Sequence, residues 1–262
     1  MEYRLSDIHA DAILGKNVTV ESFVTIQPDV IIDDNTWIGS HVTIMSGSRI
    51  GKNCQIFPNA VIGAATQDKK KACQQTYVEI GDNTVIREFV TLNRGTVGNT
   101  TIGSHVLLMA YVHVAHDCII EDHVVVANAT QLAGHVVLQH HAVIGGMAAI
   151  HQFIHVGAYS MVGSKSIVRK DIPPFTKVAH EPLRYCGINF IGLQRHGFNQ
   201  EQCDAIRDSY RYIYQSKMPL ASALEMIDKQ IENSQEKNVI IDFIRNSNAG
   251  IVKKTDRNAQ FL

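Results

Sequence analysis

A large aliphatic side chain recurs every six residues through most of this 262-residue chain. Stepping by sixes from Ile8 meets Leu14, Val20, Ile26, Ile32, Ile38, Ile44, Ile50, Ile56 and Ile62 without an exception. Large aliphatics make up roughly a quarter of an ordinary sequence, so ten successive hits by chance are on the order of one in a million. The frame stops after Gly63, resumes at Ile80, Ile86 and Leu92, slips by four residues, and runs from Ile102 to Val168. Small or β-branched residues follow four places later, as at Val18, Val42, Ala60, Cys118, Val136 and Ala148. A period of six fits neither a helix nor a simple strand alternation; it fits a short strand followed by a corner, repeated. Three such units close a triangular coil, so each residue stacks on the one a coil later at about 4.8 Å. The expected fold is therefore mainly β, a parallel β-helix of hexapeptide repeats over residues 1–174, with some eight to nine coils filled by the aliphatics.

Two stretches break the period, "GAATQDKKKACQQTYV" at 63–78 and "NRGTVGNTT" at 93–101. A solenoid core needs neither, and loops on a rigid scaffold commonly carry function. After "DIPP" at 171–174 the spacing becomes helical, which predicts a C-terminal α-helical domain over 175–262. Ile188, Ile191 and Leu193 are assigned to a short first helix, and Asn199 with Gln202 reads as a capping box before Ile206, Tyr210, Ile213 and Tyr214. Leu220 to Ile231 and Val239 to Ile244 read as two more helices, and the chain after about Lys253 as a frayed end.

Composition removes several classes. A net charge of −1 gives no electrostatic case for nucleic acid. No apolar run is long enough to span a membrane, and the start is unlike a secretory signal, so a cytoplasmic protein without stable membrane insertion is expected. Five scattered cysteines form no CxxC pair, which leaves neither a disulfide framework nor a thiolate metal site.

The chemistry concentrates in "HVAHDC" at 113–118. One coil on, His116 stacks on Gly134 and Asp117 on His135. A glycine N–H beside an imidazole is the arrangement that holds an oxyanion near a general base. Neighbouring side chains on a strand point to opposite faces, so Asp117 can orient His116 only at a corner. His105, His123 and His141 share the same spacing and read as a polar surface ladder. Neutral imidazole is also a common metal ligand, so a metal reading of the cluster stays open on these grounds.

Taken together, "RGTV" at 94–97, "HVAHDC", "LAGHV" at 132–136, "IGG" at 144–146, "HQF" at 151–153 and "GINFIGLQRHGF" at 187–198 resemble the bacterial UDP-N-acetylglucosamine O-acyltransferases of lipid A biosynthesis over essentially the whole chain. The resemblance implies a left-handed β-helix and a homotrimer with clefts between subunits. It implies transfer of an (R)-3-hydroxyacyl chain from acyl carrier protein to the glucosamine 3-OH of UDP-N-acetylglucosamine, without metal or cofactor. It also implies that His116 is the general base, Asp117 its orienting acid and the Gly134 N–H the oxyanion donor. His113, His135, His151 and Gln152 would line the sugar and acyl site. Gln67, Asp68 and Lys70 would reach across a subunit boundary, and Asn189 and Arg195 would contact the nucleotide, where an arginine fork suits a diphosphate.

This chain departs from the family pattern at Asn93, Ile191 and His196, where histidine, glutamate and arginine are common. The small residues around Gly163 and Ser164 accord with a long acyl chain. Lys165, Arg169 and Lys170 are placed to attract an acidic carrier protein. Other readings are a different hexapeptide acyltransferase, a γ-type carbonic anhydrase and an inactive scaffold. The repeats begin by Ile8, so the related N-acyltransferase, which carries a separate N-terminal domain, is not the expected reading. The carbonic anhydrase pattern has its HxxxxH pair in His135 and His140, but Asn99 stands where a further histidine is needed.

Overall fold

The structure, a computed structural model, describes residues 5–69 and 75–254. Strands of two to four residues, and one of five at the end of the last face, form three sheets that are the sides of a prism; all but that last strand pair in parallel, each with its counterpart one coil later. Face A runs from Asp7–Ile8 to Ile167–Val168, face B from Ile13–Leu14 to His155–Val156, and face C from Thr19–Val20 to Arg184–Ile188. Nine strands on face A match the expected number of coils, and the coil is left-handed. The register is the one the period demands: Ile26 pairs Ile44, Val114 pairs Leu132 and Ile120 pairs Leu138. These aliphatics are buried in one continuous core. Each such side chain contributes about 1.5–3 kcal/mol by leaving water.

Corners require a residue in the left-handed region, and the chain supplies side chains that tolerate it. Asn35, Asn53, Asn83, His105, His123 and His141 hold φ between 55° and 61° along the corner from face B to face C. Short polar side chains visit this region most readily, which explains the asparagine run. The histidine ladder is present: the rings of His105 and His123 lie 4.8 Å apart, those of His123 and His141 4.6 Å, and Tyr159 continues the stack at 4.6 Å. Burial, with His196, His123 and His140 beside it, pushes the His141 imidazole down to about 4. Its ring is uncharged at neutral pH and so adds no charge to the stack.

Helical structure begins later than the spacing suggests. Ile188 closes a strand, Arg184–Ile188, antiparallel to Thr176–Ala179 on face C, and is not part of the first helix. The hairpin covers what would be an open sheet edge, and edge pairing prevails over the helical spacing of Ile188, Ile191 and Leu193. Among the described residues four helices follow: α1 (Phe190–Arg195), α2 (Gln200–Tyr214), α3 (Leu220–Gln230) and α4 (Gln235–Arg245). The Asn199 and Gln202 side chains form the capping box of α2. Leu193, Cys203, Ile206, Tyr210, Ile227 and Ile240 pack with Phe175 into a second core, and the Tyr210 hydroxyl donates to the Pro174 carbonyl at 2.6 Å, fastening the helices to the last coil. Among the described residues no helix is long and apolar enough to cross a membrane, and Cys54, Cys118, Cys186 and Cys203 are free thiols. Cys73 and the stretch after Lys254 lie outside the described residues.

Candidate active site

Both interruptions of the repeat leave the prism at one corner, between faces A and B, after Ala64 and after Asn93. The next coils place His116 with Asp117, then Gly134 with His135, on that same corner. Asp117 has φ of 60°, a turn that brings its side chain beside that of His116, as a flat strand would not. The two meet at 2.7 Å, His116 Nδ1 to Asp117 Oδ2.

The loop at 94–99 closes over this pair. Thr96 donates its N–H to both Asp117 oxygens at 3.0 Å and its hydroxyl to Oδ2 at 2.7 Å. The N–H groups of Val97 and Gly98 donate to Oδ1 at 3.1 and 2.8 Å. Burial alone would raise the Asp117 carboxyl. The Thr96 hydroxyl, the Gly98 N–H, His116 and the Val97 N–H outweigh it and hold the group well below the usual carboxylate range. An ionised carboxylate only accepts, so His116 donates from Nδ1, and in its neutral form keeps a lone pair on Nε2. Asp68 Oδ2 lies 3.7 Å from that Nε2 and His135 Nε2 lies 3.7 Å from Asp117 Oδ2. An imidazolium formed here is therefore faced by two carboxylates.

The imidazole rests on Gly134. A Cβ at that position would fall 2.5 Å from His116 Cε1 and 2.6 Å from Nε2, so only glycine admits the ring. Among the described residues the Gly134 N–H donates to no acceptor. Gly134→Ala should tilt the imidazole off its seat and lower kcat by about a hundredfold with the fold intact. Kinetics alongside a melting curve checks this; an alanine variant within threefold of wild type would contradict the close seating.

A cleft of about 560 Å³ opens above the ring, lined by Gln67, Asp68, Asn93, His113, His116, Gly134, His151 and Gln152. Thr91 Oγ1 holds His113 Nδ1 at 2.7 Å, and Phe153 stacks on His135 with ring centres 4.6 Å apart. Gln67 and Asp68 thus line the same cleft as the His116 of their own chain. Asn93 Nδ2 donates to the Ala65 carbonyl at 2.7 Å and ties the start of the loop to the corner. Lys70 lies outside the described residues. Asn189 and Arg195 are not among the residues lining the cleft. The Asn189 amide donates to the Tyr159 carbonyl at 2.9 Å, and Arg195 is exposed on the last turn of α1. His196 packs on His141 and Tyr159, Ile191 is exposed, and Lys165, Arg169 and Lys170 are exposed near the prism end, with Lys170 Nζ donating to the Ala249 carbonyl at 2.6 Å. A separate groove of about 620 Å³ along face B runs past Ile31, Arg49, Glu79 and Ile119 and holds no imidazole, so the base chemistry belongs to the face A cleft.

The Thr96 cradle and the Thr91 prop were not picked out from the sequence. Thr96 to Gly98 stand 21 to 19 residues before Asp117, a coil away once the four-residue slip is allowed for. The slip itself was the available signal.

His116, Asp117 and His135 are the one group of three among the described residues close enough to share an ion. Their ligand atoms, however, point at one another: Asp117 is surrounded by N–H and O–H donors, and His116 turns its Nδ1 to that carboxylate. Such a donor shell suits a carboxylate and leaves it no lone pairs for a cation. His135 and His140 flank the strand Val137–Leu138 on different corners, so one chain does not converge them on an ion.

A parallel hexapeptide prism with a corner histidine seated on glycine and paired to a buried aspartate defines a hexapeptide acyltransferase. The family model of the bacterial transferase hexapeptide matches residues 11–44, 29–64 and 99–134, and that of UDP-N-acetylglucosamine O-acyltransferase domain 2 matches 171–252. The chain is 44% identical over 190 residues to the acyl-(acyl-carrier-protein):UDP-N-acetylglucosamine O-acyltransferase of Synechocystis, covering 72% of this chain and 69% of that one. It is 40% identical over 262 residues to the protein of the same name from Herminiimonas arsenicoxydans, covering 95% and 100%. The structure of a UDP-N-acetylglucosamine acyltransferase from Bacteroides fragilis superposes with a TM-score of 0.95 at 44% identity, over 97% of this chain and 100% of that one. The chain belongs to the UDP-N-acetylglucosamine O-acyltransferase family.

Proposed function

We propose that this chain moves an (R)-3-hydroxyacyl group from acyl carrier protein to the glucosamine 3-hydroxyl of UDP-N-acetylglucosamine, the first step of lipid A biosynthesis. The observation that carries the reading is the His116 imidazole held between the Asp117 carboxylate and the Gly134 backbone, with Nε2 facing a cleft. In the proposed reaction Nε2 takes the proton of the 3-hydroxyl as its oxygen attacks the thioester carbonyl. The carbonyl oxygen becomes an oxyanion beside the Gly134 N–H. Collapse breaks the C–S bond, the imidazolium returns its proton to the departing sulfur, and an ester and a free carrier thiol remain. His113, His151 and Gln152 line the cleft where sugar and acyl chain would lie, and no step needs a metal.

The same reading makes the active protein a homotrimer in the cytoplasm. Asn189 and Arg195 stand outside their own chain's cleft, and in the trimer the tail of a neighbouring copy would bring them to the nucleotide. The direct check uses acyl carrier proteins loaded with hydroxyacyl chains of several lengths and maps the product by NMR. An ester on the 3-oxygen, and none with the 3-deoxy acceptor, is the expected result; acylation at another position would overturn the reading.

A further inference from the structure

We propose that Thr96 is a positioning residue for the reaction: its side-chain hydroxyl, with the N–H groups of residues 96–98, fixes the rotamer and charge of Asp117 and through it the tautomer of His116. The inference rests on the reading of His116 as general base and assigns a task to the loop at 94–99 within the 93–101 interruption, which the prism does not require.

The geometry is that of a built anion cradle. Four donors from three consecutive residues converge on one carboxylate whose side chain is 4% exposed: the Thr96 N–H and hydroxyl and the Val97 and Gly98 N–H groups. The loop is shaped for this approach. A Cβ on Gly95 would fall 1.8 Å from the Gly98 carbonyl oxygen and 2.8 Å from Asp117 Oδ1, so the tight path of the chain needs glycine there. Loop backbone and carboxylate are further tied by the Thr100 hydroxyl, which accepts the Asp117 N–H at 2.9 Å. The cradle is anchored in turn from the end of the first interruption, because the buried Thr76 hydroxyl donates to the Gly95 carbonyl at 2.7 Å. The other groups facing the carboxylate are His116 Nδ1 at 2.7 Å and His135 Nε2 at 3.7 Å, with the Cys118 thiol held neutral by burial behind it.

Five donors serve two oxygens, and only one of them, His116 Nδ1, belongs to the reacting imidazole. The others fill the remaining lone pairs, so Oδ2 is turned to His116 and does not rotate toward His135. Without the Thr96 hydroxyl, Oδ2 keeps a bifurcated N–H and the imidazole, and the carboxylate gains freedom to swing between the two histidines. Part of the His116 population then carries its proton on Nε2, where it cannot accept from a hydroxyl.

The test compares Thr96→Val, Thr96→Ser and His116→Ala. Thr96→Val keeps the shape and loses the hydroxyl donor; kcat should fall about tenfold, as expected for a hydrogen bond to a charged group, with KM for both substrates within about twofold. Thr96→Ser restores the donor and should recover most of that loss. Histidine 15N spectra give a readout independent of turnover: the wild-type His116 ring should show the Nδ1–H tautomer alone, and the valine variant a mixture. The proposal is overturned if Thr96→Val retains wild-type kcat and a single tautomer, or if Thr96→Ser is as slow as Thr96→Val. Should the valine variant fail to fold, the serine variant and Thr76→Val decide: Thr76→Val loosens the cradle from outside and should show the tautomer mixture, whereas an unchanged ring signal rules the cradle out. An active His116→Ala would instead sink the underlying base assignment, a result separable from all of these.

Discussion

His116→Ala is expected to lower kcat for acyl transfer by about a thousandfold while KM for UDP-N-acetylglucosamine stays within about threefold. The size follows from what the ring does. A sugar hydroxyl is a poor nucleophile at neutral pH, and the proposed acceptor of the proton it must lose is an Nε2 whose partner nitrogen is engaged with Asp117 at 2.7 Å. Removing the ring leaves the cleft, the Gly134 N–H and the substrate contacts, so binding persists and a residual rate over solution remains. Because the ring also covers Gly134, its loss opens a small void at the corner, but the prism core beneath is untouched. The measurement is steady-state kinetics with a melting curve on the same samples. A variant within tenfold of wild type would mean that another group takes the proton.

Asp117→Asn should be nearly as damaging, by about two to three orders of magnitude in kcat, and also destabilising by about 3 kcal/mol at pH 7. The amide is almost the same size, so the effect isolates charge and donor count. The cradle offers N–H and O–H groups from Thr96, Val97 and Gly98, and an NH2 turned toward any of them sets donor against donor. Turned the other way, it faces His116 and forces the ring to accept at Nδ1, which puts the proton on Nε2 and abolishes the base. The pH dependence carries the sign of a depressed carboxyl. The stabilising contribution of Asp117 is fully present above its unfolded value, about 4, and is lost as pH falls through the much lower folded value. The gap in melting temperature between wild type and the asparagine variant should therefore be widest near neutrality and narrow below about pH 4. An equal gap at all pH values would show that the charge of Asp117 is not what the cradle holds.

Much of this was legible in the chain because a solenoid turns sequence distance into spatial distance. The step from His116 to Gly134 is one coil, so their contact followed from the period alone, as did the inward run of Ile26, Ile44 and Ile62. Where the period fails, so does the arithmetic. Thr96 stacks on Asp117 only after the slip at 93–101, and Gln67 and Asp68 sit on a loop whose path depends on the Asn93 side chain. Ile188 was misread because its spacing serves a helix and a hairpin equally, and the open edge of face C decided between them. Asn189 and Arg195 had no period to place them, and their own chain does not bring them to its cleft.

The central claim is metal-independent acyl transfer at the His116 corner. Its most direct test gives the chelator-treated protein UDP-N-acetylglucosamine and 3-hydroxyacyl carrier proteins of several chain lengths, then repeats the reaction with zinc restored. The account predicts 3-O-acyl product at one preferred length, formed at the same rate with and without the metal. Absence of acyl product at every length, or a rate that returns only with zinc, would contradict it and move the chemistry to a metal held by His116, Asp117 and His135.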